Sequence, residues 1–334
     1  MGQGNAPTRK VVVTGCAGFI GSHLVERLLE MGYSVLGIDS FEDYYARELK
    51  EANLESARRN GRFRLLEANL LDLAGLGSSR AVEALGELVA DVEYVFHLAA
   101  QAGVRASWGD SFRIYTDNNV LATQTLLEAC RSATPRRFVY ASSSSVYGDT
   151  DVLPMREDAV CRPVSPYGVT KLAGEQLCLL YNKNFAVPVV CLRFFTVYGP
   201  RQRPDMAFHR FIRAMLEGRP IHLFGTGMQT RDFTFISDIL DGLVASLGAP
   251  SGGVYNLGGG SRVSLAEAVR TLEDCLGQRA LIEGDTEQAG DVVHTWADLS
   301  AAARDLGYGP QVGLAEGLRR EADWLTSALA AGTI

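Results

Sequence analysis

A chain of 334 residues is too long for one small core and suits one large domain or two interlocked ones. With 47% hydrophobic and 21% charged residues it has an ordinary globular profile, and no apolar run approaches the roughly 18 residues that span a bilayer. A net charge of −7 speaks against a nucleic-acid binder, which needs a cationic field.

The first nine residues, Met1 to Arg9, are polar and lack an apolar core, which reads as a short disordered lead rather than a signal peptide and makes the cytoplasm the default. Val11 to Thr14 is a continuous apolar run closed by glycines, as in a strand covered on both faces. Ile20, Leu24, Leu28 and Met31 then mark one face of a helix over Ile20–Met31. Strands are expected at Ser34–Ile38, Phe63–Leu66 and Tyr94–Leu98, then a long helix around Phe112–Arg131 and a strand at Arg137–Ala141. Pro166–Phe185 reads as a helix and Val187–Arg193 as a further strand. This alternation predicts βαβ units in a parallel, doubly wound α/β sheet of the Rossmann type.

The second half is punctuated by Gly and Pro, with helices expected at Asp205–Leu216, Leu265–Leu276 and Leu314–Leu329 and a strand at Val254–Leu257. We expect a nucleotide-binding domain over residues 10–197 with a returning segment at about 233–258. A smaller α/β substrate-binding lobe takes residues 198–232 and 259–330. A cleft between them is where ligands of open α/β folds sit. The six cysteines, Cys16, Cys130, Cys161, Cys178, Cys191 and Cys275, show no C-x-x-C and no metal-ligand spacing with the five histidines. Reduced buried thiols and no metal site are expected.

The run Gly15-Cys16-Ala17-Gly18-Phe19-Ile20-Gly21 follows the first strand and opens a helix. Glycines there let the backbone approach a pyrophosphate, whose charge meets the free N–H groups of the helix. Asp39 closes the next strand at the spacing where a carboxylate accepts both ribose hydroxyls. It would repel a 2′-phosphate, so NAD is favoured over NADP.

Tyr167 and Lys171 lie four apart at the start of a helix, on one face. The chain has only four lysines, Lys10, Lys50, Lys171 and Lys183, so one at this spacing carries weight. A tyrosine hydroxyl titrates near ~10, too high for a base at neutrality. A nearby ammonium and a cationic nicotinamide both favour the phenolate.

Together these residues resemble the extended short-chain dehydrogenase family, from Lys10 to about Trp324. The match includes His97-Leu98-Ala99-Ala100, Asn119, Ser142–Gly148, Arg193–Pro200 and Arg231-Asp232-Phe233. The resemblance implies a nucleotide sugar as substrate, with Arg231 on the diphosphate and Asp291 on the uridine ribose. It places Asn69 and Leu70 at the adenine, and Leu98, Ala99, Ala100 and Asn119 among the cofactor contacts. Lys171 would bond the nicotinamide ribose, and Ser143 would aid Tyr167.

The Asp-Glu pair of the sugar 4,6-dehydratases is absent from Ala141–Tyr147. A glutamate usual in UDP-glucuronate decarboxylases is replaced by Ser145. What remains resembles the bacterial UDP-glucuronate 4-epimerases, notably at Asp43-Tyr44-Tyr45, Arg193–Met206 and Arg231–Phe235. That resemblance implies Ser144, Ser145, Thr196 and Arg203 as the groups holding the uronate carboxylate, and a homodimer through the helices around Phe112–Arg131 and Pro166–Phe185. The Ala-, Gly- and Arg-rich usage suggests a high-GC bacterium and an antibiotic-sugar pathway such as that of moenomycin. The alternatives are a decarboxylase, an epimerase of neutral UDP-hexoses, and a non-catalytic NAD sensor, which would have no need of Tyr167 and Lys171.

Overall fold

In the computed structural model, which describes residues 9–73, 78–285 and 290–332, the apolar runs of the first half become strands of one sheet. They are β1 (Lys10–Thr14), β2 (Ser34–Asp39), β3 (Phe63–Glu67), β4 (Tyr94–His97), β5 (Arg137–Ser143) and β6 (Val189–Phe194). Beyond them come β7 (Val197–Tyr198), β8 (Ile221–Phe224), β9 (Thr230–Arg231), β10 (Thr234–Phe235), β11 (Gly253–Leu257), β12 (Val263–Ser264) and β13 (Ile282–Asp285). The main sheet has the order β11-β6-β5-β4-β1-β2-β3, with every pair parallel. The chain winds outward in both directions from β1, so a crevice opens at the carboxyl ends of the paired strands β1 and β4, whose connections leave to opposite faces of the sheet.

Successive strand residues pack on opposite faces, as a two-residue period requires. Val11 and Val13 join one core while Val12 joins the other, and Val139 opposes Phe138 and Tyr140 in the same way. One face is covered by α1 (Phe19–Glu30), with α2 (Arg47–Asn53) and α3 (Glu55–Arg58) behind it. The other takes α4 (Ser78–Val89), α6 (Ala122–Ala133) and α7 (Pro166–Phe185), with α5 (Phe112–Thr116) packed on α7. The rest of the chain adds α8 (Ala207–Leu216), α9 (Ile236–Ala245), α10 (Leu265–Leu276), α11 (Ser300–Leu306) and α12 (Leu314–Ala330). Here β8 pairs in parallel with β13, and α8 and α10 both pack on α12.

Three expectations change. The helix expected over Phe112–Arg131 is broken by a wider π turn at Asp117–Leu121 and runs on to Ala133. Most of the lead expected to be disordered lies outside the described residues. Arg9 does not belong to it: its Nε is 2.6 Å from Glu93 Oε2, and its guanidinium lies 4.6 Å from the Tyr33 ring centre. The helix expected from Asp205 begins at Ala207, because Asp205 belongs to a turn. Among the described residues no helix is long and apolar enough to cross a membrane.

A buried ion pair joins α7 to β6. Glu175 and Arg193 meet through Oε1–Nη2 at 2.6 Å and Oε2–Nε at 3.0 Å, and Ser142 Oγ donates to Oε2 at 2.7 Å. Burial works against charge on Arg193, but the Glu175 carboxylate more than offsets it and holds the guanidinium's pKa above its ordinary value. Removing one partner strands the other in the core. Arg193→Met is therefore expected to cost about 3–5 kcal/mol in denaturant unfolding, and Arg193→Met with Glu175→Leu to recover most of it.

Candidate active site

Backbone packing alone makes the glycine loop a cradle. Gly15 has φ +69°, and a Cβ on it would stand 2.8 Å from Ala99 N; a Cβ on Gly21 would stand 2.0 Å from Gly15 O. The start of α1 is thereby pressed against β1 and β4, with its first N–H groups facing the crevice. Asp39 sits at the wall. Its Oδ2 accepts from Ala17 N–H and its Oδ1 from Phe41 N–H, both at 2.9 Å, which leaves each oxygen a lone pair for another donor.

Gly15, Gly18, Phe19, Ile20, Gly21, Asp39, Asn69, Leu70, Leu98, Ala99, Ala100, Tyr167, Lys171 and Arg203 line one open cleft. Asn69 donates to Glu42 Oε1 at 3.2 Å and accepts from Leu71 N–H at 2.9 Å. His97, in the same motif as Leu98, is a core residue, bonded to Thr14 Oγ1 at 2.8 Å and Thr123 Oγ1 at 2.9 Å.

Asn119 does not line the cleft. Its Oδ1 accepts from Gln101 N–H at 2.7 Å, and its Nδ2 donates to Gln101 O at 3.0 Å and Thr170 Oγ1 at 2.9 Å. The π turn that carries it thus ties the loop after β4 to α7, and its influence reaches the cleft through Gln101, which does line it.

Helix α7 starts at a defined cap, with Ser165 Oγ accepting from Gly168 N–H at 3.1 Å and Pro166 in the first position. That fixes the half-buried Tyr167 and the buried Lys171 one turn apart. Lys171 Nζ donates to Ala141 O at 2.8 Å and lies 5.1 Å from the Tyr140 ring centre. Burial brings its pKa down to about 8. Burial also raises the Tyr167 hydroxyl above its ordinary value, against the lowering influence of Ser143 and Arg203. Burial by itself thus disfavours the Tyr167 phenolate.

Ser143 ends β5, and its hydroxyl caps the 3-10 turn Ser144–Val146 by accepting from Ser145 N–H at 3.2 Å. Because Ser143 pairs with Phe194, the turn bearing Ser144 and Ser145 and the link carrying Thr196 emerge from neighbouring strands at the same end of the sheet. Arg231 and Asp291 are not among the residues that line the cleft, and they stand near one another. Arg231 Nη1 donates to Thr230 O at 2.9 Å and Val293 O at 3.1 Å. Asp291 Oδ2 accepts from Arg105 Nη2 at 2.7 Å.

Sequence reasoning missed Arg105, which carries no motif, although its guanidinium is 3.9 Å from the Phe224 ring centre. It also missed Lys50, a cleft residue that the scarcity of lysine could have flagged, and Glu175, four residues after Lys171 on the same helical face.

The sequence model of the NAD dependent epimerase/dehydratase family matches residues 11–258. A Bacillus subtilis protein described as an uncharacterized UDP-glucose epimerase, YtcB, is 46% identical over 321 residues, which is 95% of this chain and 98% of that protein. A UDP-glucuronate 4-epimerase of Thermodesulfobacterium geofontis is 38% identical over 315 residues, covering 94% and 95% respectively. The crystal structure of UDP-glucuronic acid 4-epimerase from Bacillus cereus, in complex with UDP-glucuronic acid and NAD, matches with a TM-score of 0.90. Its identity is 45%, over 95% of this chain and 99% of that one.

The cradle has a direct test. Gly21→Ala forces the loop apart, at a cost of about 1–3 kcal/mol, so NAD affinity is expected to fall roughly tenfold or more. Assay of NAD released by heat from the purified variant checks this.

Proposed function

The chain belongs to the NAD dependent epimerase/dehydratase family, and on that premise we propose that it interconverts UDP-glucuronate and UDP-galacturonate by inverting C4. One observation carries the choice of a uronate: among the described residues Arg203 is the one arginine lining the cleft that also holds Tyr167 and Lys171. A guanidinium beside the base suits a sugar bearing a carboxylate.

NAD is the cofactor, held by the glycine loop, Asp39, Asn69, Leu70, Leu98, Ala99, Ala100 and Lys171. When bound it supplies the acceptor and later the donor of the C4 hydride, and its oxidised ring brings a positive charge that favours the Tyr167 phenolate. Tyr167 takes the C4 hydroxyl proton and later returns it, with Ser143 sharing the hydrogen bond. The 4-keto sugar turns over between the two half-reactions. That ketone lies β to the carboxylate carbon, so the sugar loses CO2 readily if the breaking bond aligns with the carbonyl π system. Ser144, Ser145, Thr196 and Arg203 hold the carboxylate out of that alignment. Arg231 and Asp291 grip the nucleotide from the smaller lobe, and the division at residues 197–198 and 232–233, with return at about 258, separates the cofactor and sugar-nucleotide lobes.

The working unit is a homodimer in the cytoplasm. Apolar side chains stand exposed on the helices expected at the interface, among them Phe112, Ile114, Leu121, Val169 and Leu180, and all six cysteines are free. Leu121→Glu with Leu180→Glu is expected to convert a dimer to a monomer by light scattering.

Purified protein given UDP-glucuronate with no added NAD is expected to form UDP-galacturonate, read by NMR, and Tyr167→Phe to slow this by about 10²–10⁴-fold. Release of CO2 with a pentose product would instead mark a decarboxylase. Preferred turnover of UDP-glucose would mark a neutral-hexose epimerase.

A further inference from the structure

The guanidinium of Arg203 is not free. Its Nε donates to Asp205 Oδ1 at 2.9 Å and its Nη2 to Asp205 Oδ2 at 3.0 Å, a two-pronged pair formed along one edge of the fork. The intervening Pro204 makes this local pairing rigid. Met206 N–H donates to Arg203 O at 3.1 Å, closing a turn with proline at the position that suits its fixed φ.

Asp205 has a second partner from a distant part of the chain. Tyr44, in the loop between β2 and α2, donates its hydroxyl to Asp205 Oδ2 at 3.2 Å. Its ring centre lies 5.8 Å from the guanidinium carbon of Arg203. The tyrosine reaches that far because Gly103, at φ +105°, has no Cβ; one there would stand 2.6 Å from the Tyr44 oxygen.

An arginine has five N–H donors, of which Asp205 takes two. Among the described residues no acceptor takes Nη1, so the outer Nη1–Nη2 edge remains open at the cleft wall. That edge matches a second carboxylate bidentately.

We propose that Asp205 is a positioning residue for the uronate: it holds Arg203 by the Nε–Nη2 edge, is itself tethered by Tyr44, and so aims the outer edge of Arg203 at the substrate carboxylate. This rests on the reading above that Arg203 receives that carboxylate. Electrostatics agree with the geometry. Burial alone would raise the Asp205 carboxyl, but Arg203 and the Tyr44 hydroxyl hold it below its ordinary value. The tether also joins Tyr44, another residue of the cleft lining, to the turn that carries Arg203, so both segments set its aim.

The test compares KM for UDP-glucuronate with the inhibition constant of UDP, which has no sugar to clamp, in NAD-loaded enzyme. Asp205→Asn is expected to raise KM about tenfold, the size of one charge-assisted hydrogen bond, with the UDP constant unchanged. Asp205→Glu should recover part of the loss. Tyr44→Phe should shift KM the same way by a smaller factor, and it carries the test if Asp205→Asn does not fold. Arg203→Ala separates the two ideas. If Arg203→Ala raises KM while Asp205→Asn and Tyr44→Phe leave it unchanged or lower it, the positioning role is overturned and the role of Arg203 stands. Parallel loss of UDP binding in Asp205→Asn also overturns it, by marking a general structural effect. If Arg203→Ala itself leaves KM unchanged, the carboxylate reading falls and the proposal with it.

Discussion

Tyr167, Lys171 and Glu175 follow one another at intervals of four down a single face of α7, and the burial of the last of them governs the other two. Glu175 is sealed between the Ser142 hydroxyl and the Arg193 guanidinium, so α7 cannot slide or rotate on β5 and β6 without exposing an uncompensated charge. Lys171 is then held to Ala141 O, and the same helix places Tyr167 in the cleft lining. Arg193 extends the anchorage outward, donating to Glu157 O at 3.1 Å and lying 4.7 Å from the Tyr147 ring centre. Tyr147 in turn donates to Asn256 Oδ1 at 2.6 Å on β11. One polar thread therefore joins α7 to β11, the outermost strand of the main sheet.

Much of this architecture was legible in the sequence because local patterns and global packing agree. The apolar runs behind Lys10, Ser34, Tyr94 and Arg137 are short and rich in β-branched or aromatic residues, so composition and length pointed the same way. Elements that escaped notice lack that agreement. The strands β8 and β13 are four residues each and pair only with one another across a long sequence separation, so nothing local announces them. The break within Phe112–Ala133 is hidden for another reason. A π turn leaves the helical pattern almost intact while it rotates Asn119 onto Gln101 and Thr170.

The site was readable to the extent that its chemistry follows the backbone. A glycine that must meet another carbonyl, or a tyrosine and lysine one turn apart, is visible as spacing. Contacts made by side chains from distant segments are not. Arg203 stood out through resemblance, but that its neighbour two residues on would share it, and that Tyr44 would reach across to hold that neighbour, depends on how a proline turn and a glycine gap are placed in space. The same holds for Arg105, whose meeting with Asp291 and Phe224 unites three separate segments.

The position of β11 also bears on how the molecule is made. It is the outermost strand of the main sheet, yet it lies after the helices and short strands inserted beyond β7. During synthesis from the amino end, β6 leaves the ribosome well before its partner exists. Until Gly253–Leu257 arrives, the Val-Val-Cys-Leu run of β6 is a bare, apolar sheet edge, the kind of surface on which nascent chains pair with one another. The nascent protein thus has an interval of vulnerability to aggregation, ended when the returning strand covers that edge.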